Sequence, residues 1–497
     1  MESSLYNVSA DSATEELYNT VAKPGAMPTL FDRWATQQPP CKLGKDGICC
    51  YVCGMGPCKI SGNATRGICG ATADTIVARN MLRHIAAGAA AYIHHAKEAA
   101  KVLSLTAQKK TTFEIKNEEK LRELANAMGL SPNQDKNILA KEVADFYYRD
   151  INKPSGEESE LVRIFAPKKR IAHWRELGLI PGGAHSEVLN SMTRTMSHIN
   201  TDPMDLLKNS LSLSISAMYS GLAMATHFQD ILLGPPRPKL IETNLGVLDP
   251  HTVNILVHGH QPLLQLKILE AQNDERLLNM AKEAGAKGIK VYGSTDVGQE
   301  LVSRDSAVMV GQIGSWMKQE LAIATGAVDL MVVDFNCTIP GLKLMADRFH
   351  TKIVSVEKVV SIEGIERIDF DPEKADEISR KIIGTAIEAF KNRDWNKINI
   401  PDAKSTSLIG FSKESIFGTK ENLDALVNAL DSRKVNGIVA IAGCTNPHTG
   451  KQRSDAIILA EELIARDILV LTSGCCNSEI QHTDLMTPEG AKYAGSS

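Results

Sequence analysis

Residues 41–69 read CKLGKDGICCYVCGMGPCKISGNATRGIC and hold six of the chain's ten cysteines, spaced C-x7-C-C-x2-C-x4-C-x10-C. Thiolates this crowded serve disulfides, structural zinc or iron–sulfur ligation. A chain of 497 residues whose N-terminal run, MESSLYNVSADSATEE, has no apolar leader segment needs no disulfide staple. Zinc takes four thiolates and leaves two over. Iron–sulfur clusters fit better, because glycine fills the gaps (Gly44, Gly47, Gly54, Gly56, Gly67, Gly70) and lets backbone N–H groups approach cluster sulfurs. Cys50, Cys53, Cys58 and Cys69 make one complete set. Cys41 and Cys49 make half a set, which the same pair from a symmetry mate completes on a two-fold axis. The plain alternative for these two is a pair of buried thiols.

The composition excludes several classes. Hydrophobic residues at 43% and charged residues at 23% supply an ordinary large core, and the length suggests about three domains. A formal net charge of −4 gives no basic footprint for nucleic acid. The longest apolar runs are interrupted by Lys, Asp or His, so no membrane span is expected. The expected setting is a reducing, anaerobic cytoplasm.

Residues 1–40 read as a lead-in with a short helix near 13–21. Helical periodicity then runs from the segment after Cys69 to about Leu232, broken at Pro154, Pro167 and Pro181. The rigid connector Gly234-Pro235-Pro236-Arg237-Pro238 closes an all-helical domain, 1–240. Beyond it, apolar β-branched runs alternate with helices: TVNILVH (252–258), GIKVY (288–292), VDLMVVD (328–334) and KIVSV (352–356), then SLIGF (407–411), GIVAIA (437–442) and ILVLT (468–472). Strands buried on both faces and spaced by helices imply doubly wound parallel sheets. The fold class is therefore multidomain α plus α/β: the helical domain followed by two Rossmann-like domains, 241–400 and 401–497, the second C-terminally incomplete.

Each of these strands that carries a chemically interesting residue carries it just past its carboxyl end, where open α/β sheets face their ligand crevice. His258-Gly259-His260, Ser294-Thr295-Asp296, Cys337, Cys444 and Cys475-Cys476 all sit so. One buried inert thiol would be unremarked; three at equivalent positions favour ligation of a single buried cluster.

On these residues the chain resembles the anaerobic nickel–iron carbon monoxide dehydrogenases. The cysteine run is similar to their N-terminal cluster region; VHGHQP, GAVDLMVVDFNC, AGCTNP and TSGCC are similar to the segments around their active cluster; TRTMSHINTDP and FQDILLGPPRP match stretches without ligands. The resemblance implies a homodimer with one 4Fe–4S cluster inside each chain and one shared between chains. It also implies a ferredoxin-like electron carrier, a small inorganic substrate, and active-cluster ligands His260, Cys337, Cys444 and Cys475, with Cys476 as the alternative thiol. The cluster is expected between the helical and sheet domains.

Three departures from the family pattern bear on chemistry. The family's Cys-Cys pair in a GxCCTGNE-like turn is Thr295-Asp296 here, so a carboxylate stands where a thiolate binds iron. Asp296 reads as a ligand, or else as an N-cap for the helix that follows. The histidine run of the family's long helix, AAGAAGHSGHAKH-like, is AAGAAAYIHHAKE (86–98), with Tyr92 first, His95 retained and Glu98 third. The family's nickel-binding cysteine and substrate-side lysine belong to a stretch not in this sequence. A hard oxygen donor favours iron and a mixed iron–sulfur–oxygen cluster, with nickel left open. The related hybrid-cluster proteins reduce hydroxylamine-type substrates with such a site. The sequence thus leads to an iron–sulfur oxidoreductase suited to small N–O substrates, with Tyr92, His95 and Asp296 at the reaction. The alternatives are an ordinary carbon monoxide dehydrogenase passing electrons to ferredoxin and, in another class, a non-catalytic redox sensor or electron-transfer module.

Overall fold

The structure is a computed structural model and describes residues 8–21, 27–304, 309–447 and 454–495. Two compact units divide the chain: residues 37–233, and residues 1–36 together with 234–497. The lead-in, expected with the helices, thus belongs to the sheet-bearing unit. Its helix α1 (Ser12–Thr20) buries Ala13, Leu17 and Tyr18 in one core with Leu256, Tyr292, Met331 and Val333 of the sheet. An amphipathic helix buries its apolar stripe but does not name its partner from local sequence.

The unit 37–233 is helical apart from a two-stranded ribbon, β1 (Cys49–Cys50) and β2 (Cys58–Lys59), antiparallel with Cys50 opposite Cys58. Its axis is α2 (Ala73–Ala107), started by Thr72, whose hydroxyl accepts the N–H of Thr75 at 3.2 Å. Ile76, Leu82, Ala86, Ala89, Ile93, Ala96, Ala100 and Leu103 form its buried stripe at helical spacing. A π-helical turn, residues 217–223, packs against it, and a Cβ on Gly221 would stand 3.1 Å from that of Tyr92. Glycine makes this close approach possible without displacing Tyr92.

In the other unit, β3 (Lys239–Thr243) precedes a parallel sheet of β4 (Val253–His258), β5 (Ile289–Ser294), β6 (Leu330–Val333), β7 (Lys352–Ser355) and β8 (Glu366–Arg367), in the order β5-β4-β6-β7-β8. All six residues of β4 and all four of β6 are buried, as the two-faced apolar pattern requires. The 401–497 region differs from expectation. The strand β9 (Ser405–Ile409) pairs antiparallel with β3, Lys239 opposite Ile409, and does not join a second doubly wound sheet. What remains is a parallel pair, β10 (Gly437–Ala442) and β11 (Ile468–Ser473). A short apolar run fits an edge pairing and a buried parallel strand equally well, so the pattern alone does not choose. Among the described residues no helix is long and apolar enough to cross a membrane.

Candidate metal centres

In the helical unit the ribbon and the start of α2 bring Cys50, Cys53, Cys58 and Cys69 around one cavity with Arg79 and Ile76. Gly56 keeps the loop open. A Cβ there would sit 3.0 Å from the carbonyl of Cys50 and 3.3 Å from that of Cys53. Asn80 ties the loop to α2, donating to the carbonyls of Gly47 at 2.9 Å and Cys49 at 3.0 Å. Arg79, only 2% exposed, directs Nη1 at Cys50 Sγ (3.9 Å) and Nη2 at the Asn200 carbonyl (3.2 Å). Its buried Nε has no partner among the described residues. Four thiols lining one cavity, with an incompletely paired buried cation among them, fit an anionic iron–sulfur cluster. Cys41 is exposed and Cys49 half-buried outside this set. Ile68 (69% exposed) and Met55 at the cavity of the four thiols, and Tyr51 (74%) next to Cys50 in sequence, are exposed apolar side chains.

In the sheet unit the five strand-end positions share one backbone device. Each candidate ligand follows a residue of positive φ: Gly259 (128°) before His260, Thr295 (57°) before Asp296, Asn336 (66°) before Cys337, Gly443 (121°) before Cys444 and Gly474 (73°) before Cys475. The chain leaves each strand, turns through a residue of positive φ and presents the next side chain at the carboxyl end of its own sheet, the five-stranded one for three donors and the β10–β11 pair for two. Cys337 is itself left-handed at 61°. Its carbonyl accepts from two buried side chains, His258 Nε2 at 3.1 Å and Gln319 Nε2 at 2.9 Å, which hold the strained pair in place.

The donors meet in two contacts. His260 Nε2 lies 2.8 Å from Asp296 Oδ2. Burial opposes protonation of His260, but the hydrogen bond and charge of Asp296 outweigh it and raise its pKa. The helix α3 (Thr295–Val302) takes Ser294 as its N-cap residue, so Asp296 is not the cap; its carboxylate goes to the histidine. The thiol of Cys475 is hydrogen-bonded to that of Cys337, which with burial raises it well above the ordinary thiol range. Burial also raises the Cys444 thiol, helped by the neighbouring Cys475, Asp296 and Cys476. Cys476, the alternative thiol, turns instead to the Cys444 carbonyl at 3.9 Å. Asp334, wholly buried, fixes the main chain of the His260 turn: its oxygens accept the backbone N–H of His260 at 2.6 Å, the backbone N–H of Gln261 at 3.1 Å and Gln265 Nε2 at 2.7 Å.

Among the described residues no three His, Cys, Asp or Glu side chains close around one point at single-ion distance. A polynuclear cluster spreads its ligands over several metal atoms, and the set of imidazole, carboxylate and three thiols fits such a group. Tyr92, His95 and Glu98 lie on α2 in the helical unit. His95 is buried with a ring nitrogen against the Gln229 amide, Tyr92 is half-buried, and Glu98 pairs with Lys101 at 3.4 Å. Sequence reasoning passed over Arg79, Gln319 and Asp334; only the position of Asp334 directly after β6 hints at its role.

The profile described as the Prismane/CO dehydrogenase family matches residues 48–497. A carbon monoxide dehydrogenase of Methanocaldococcus jannaschii is 40% identical over 478 residues, 95% of this chain and 77% of that protein. One from Archaeoglobus fulgidus is 39% identical over 492 residues, covering 98% and 78%. Among solved structures, a nickel-free, as-isolated carbon monoxide dehydrogenase from Thermococcus sp. AM4 superposes with TM-score 0.95 at 39% identity, covering all of this chain and 78% of that one.

Proposed function

Because the chain belongs to the Prismane/CO dehydrogenase family, we propose that it is an iron–sulfur oxidoreductase of the carbon monoxide dehydrogenase kind. Carbon monoxide and water would give carbon dioxide, two protons and two electrons. The reading rests on one observation above all: five donors of the right chemistry stand at five strand ends, each behind a left-handed residue. The relatives' names support it over N–O reduction, which the sequence put first. A nickel–iron–sulfur group bound there would supply the Lewis acid and the electron sink.

The chain's own residues prepare and serve such a group. The proton shared by His260 and Asp296, and the one between Cys337 and Cys475, are displaced when metal binds, so loading releases protons. Asp334 fixes the His260 turn, and His258 with Gln319 fixes Cys337. Cys50, Cys53, Cys58 and Cys69 provide the electron relay, with Arg79 offsetting its charge. Cys41 and Cys49, exposed and half-buried outside the complete set, supply half of a cluster shared across a homodimer, with the exposed apolar Tyr51 and Ile68 available to its interface. A ferredoxin-like carrier takes the electrons.

A second reading, reduction of a small hydroxylamine-type substrate, is favoured by the Asp296 carboxylate at 2.8 Å from His260. A hard oxygen donor on that iron stabilises oxygen-bridged clusters. Viologen-linked assays of the protein reconstituted anaerobically with iron, sulfide and nickel separate the two. Carbon monoxide oxidation is expected; hydroxylamine turnover without it, at full metal content, would replace the first reading by the second.

A further inference from the structure

Thr295 is, among the residues ahead of the five strand-end donors, the one least expected where it stands. It is fully buried, β-branched, and held at φ 57°, a region that branched side chains rarely enter. Glycine serves the equivalent position after β4, β10 and β11 (Gly259, Gly443, Gly474). Something offsets the strain, and the side chain's contacts identify it. Thr295 Oγ1 accepts the N–H of Gly259 at 3.0 Å, and its proton lies within reach of the Gly259 carbonyl at 3.0 Å and the Ser294 carbonyl at 2.6 Å. Gly259 immediately precedes His260, and Thr295 immediately precedes Asp296. The carbonyl of Gly259 also accepts the N–H of Val297 at 3.0 Å, just beyond Asp296. No bulkier residue replaces Gly259, since a Cβ there would overlap the Asp334 carboxylate.

We propose that Thr295 is a positioning residue: its hydroxyl clasps both peptide groups of Gly259, locking the turn that carries His260 to the turn that carries Asp296. The clasp sets the 2.8 Å approach of imidazole and carboxylate before any metal arrives. This rests on the ligand role given above to His260 and Asp296, and it makes the Thr295-Asp296 pair one device: the carboxylate donates to metal, and the threonine aims it.

Three variants, each reconstituted with iron, sulfide and nickel, test the clasp by iron content and electron paramagnetic resonance. Thr295→Ser keeps the hydroxyl and should keep the active-cluster signal. Thr295→Gly relieves the left-handed strain and Thr295→Val keeps the branched shape, but both lose the hydroxyl. Both should retain the N-terminal cluster signals while occupancy of the active cluster at limiting iron falls about tenfold or more, the scale for an outer-shell partner of a ligand. Full active-cluster signal in the glycine and valine variants overturns the proposal. So does loss in the serine variant, or loss of the N-terminal signals in the glycine variant, which would make Thr295 a folding residue. If the unmodified protein shows no signal beyond its N-terminal clusters, the ligand assignment itself fails.

Discussion

Nη1 of Arg79 stands 3.9 Å from Sγ of Cys50, at the base of the first thiol cavity. A buried guanidinium with an unpaired Nε calls for an anionic neighbour, and a thiolate-bound cluster is one. A cation so placed stabilises the reduced, more negative state. At an effective dielectric near 20, a unit charge about 7 Å from another is worth ~2 kcal/mol, on the order of 100 mV for one electron, which sets the scale. Arg79→Met should therefore lower the potential of the intrachain cluster by about that amount in a redox titration followed by paramagnetic resonance, with Arg79→Lys in between. An unmoved potential would separate Arg79 from the cluster.

The exposed Cys41 and half-buried Cys49 set a second expectation. Changing both to Ser should lower iron per chain and shift sedimentation toward the monomer at low concentration, while the signature of the Cys50, Cys53, Cys58 and Cys69 cluster persists. Unchanged iron would remove the shared cluster.

Replacing the hard donor tests the chemistry of the His260–Asp296 pair, 2.8 Å apart. Asp296→Cys should raise the ratio of carbon monoxide oxidation to hydroxylamine reduction on the order of tenfold, the scale on which changes around a metal alter such sites. A ratio unchanged at equal metal loading would mean that the carboxylate does not tune the reaction.

Acid should weaken the fold in a defined window. His482 is buried, neither ring nitrogen has a hydrogen-bond partner among the described residues, and burial together with the nearby Lys318 holds its pKa at about 3. The unfolded chain titrates this group near 6.5 and so binds the extra proton between the two values. The stabilisation is full above pH 6.5 and is lost as pH falls, by up to about 1.4 kcal/mol per pH unit. Denaturant midpoints should drop from pH 7 to pH 5.5, and His482→Gln should flatten that slope. An equal slope in the variant would assign the acid sensitivity elsewhere, His258 being the next candidate because burial holds it at about 4.

The first thiol set was legible because its ligands are near neighbours in sequence, so spacing alone reports the cavity. The strand-end donors were legible because β4 and β6 are apolar on both faces and advertise a parallel sheet. The pairing of β9 with β3 was not, since Ser405–Ile409 carries no mark of a partner more than 160 residues away. Nor was the placement of α1 with the sheet unit. The left-handed turns at Thr295 and Asn336 stayed hidden for a sharper reason: sequence signals positive φ through glycine, and these two positions use side-chain hydrogen bonds or a clamped neighbour instead.

The positive-φ residue ahead of each candidate donor makes aim a property of that residue and of the main-chain turn, not of the donor itself. What is mounted there, thiol, imidazole or carboxylate, is then a separate choice. The carboxyl ends of the two parallel sheets, three on the larger and two on the β10–β11 pair, behave as five sockets whose fittings can be exchanged singly, each by a change of one residue, with no rebuilding of the frame. Exchanging one fitting can therefore change the metal selected and the bond broken while the shape stays, and Asp296, 2.8 Å from His260, is the socket where that exchange reads out most directly.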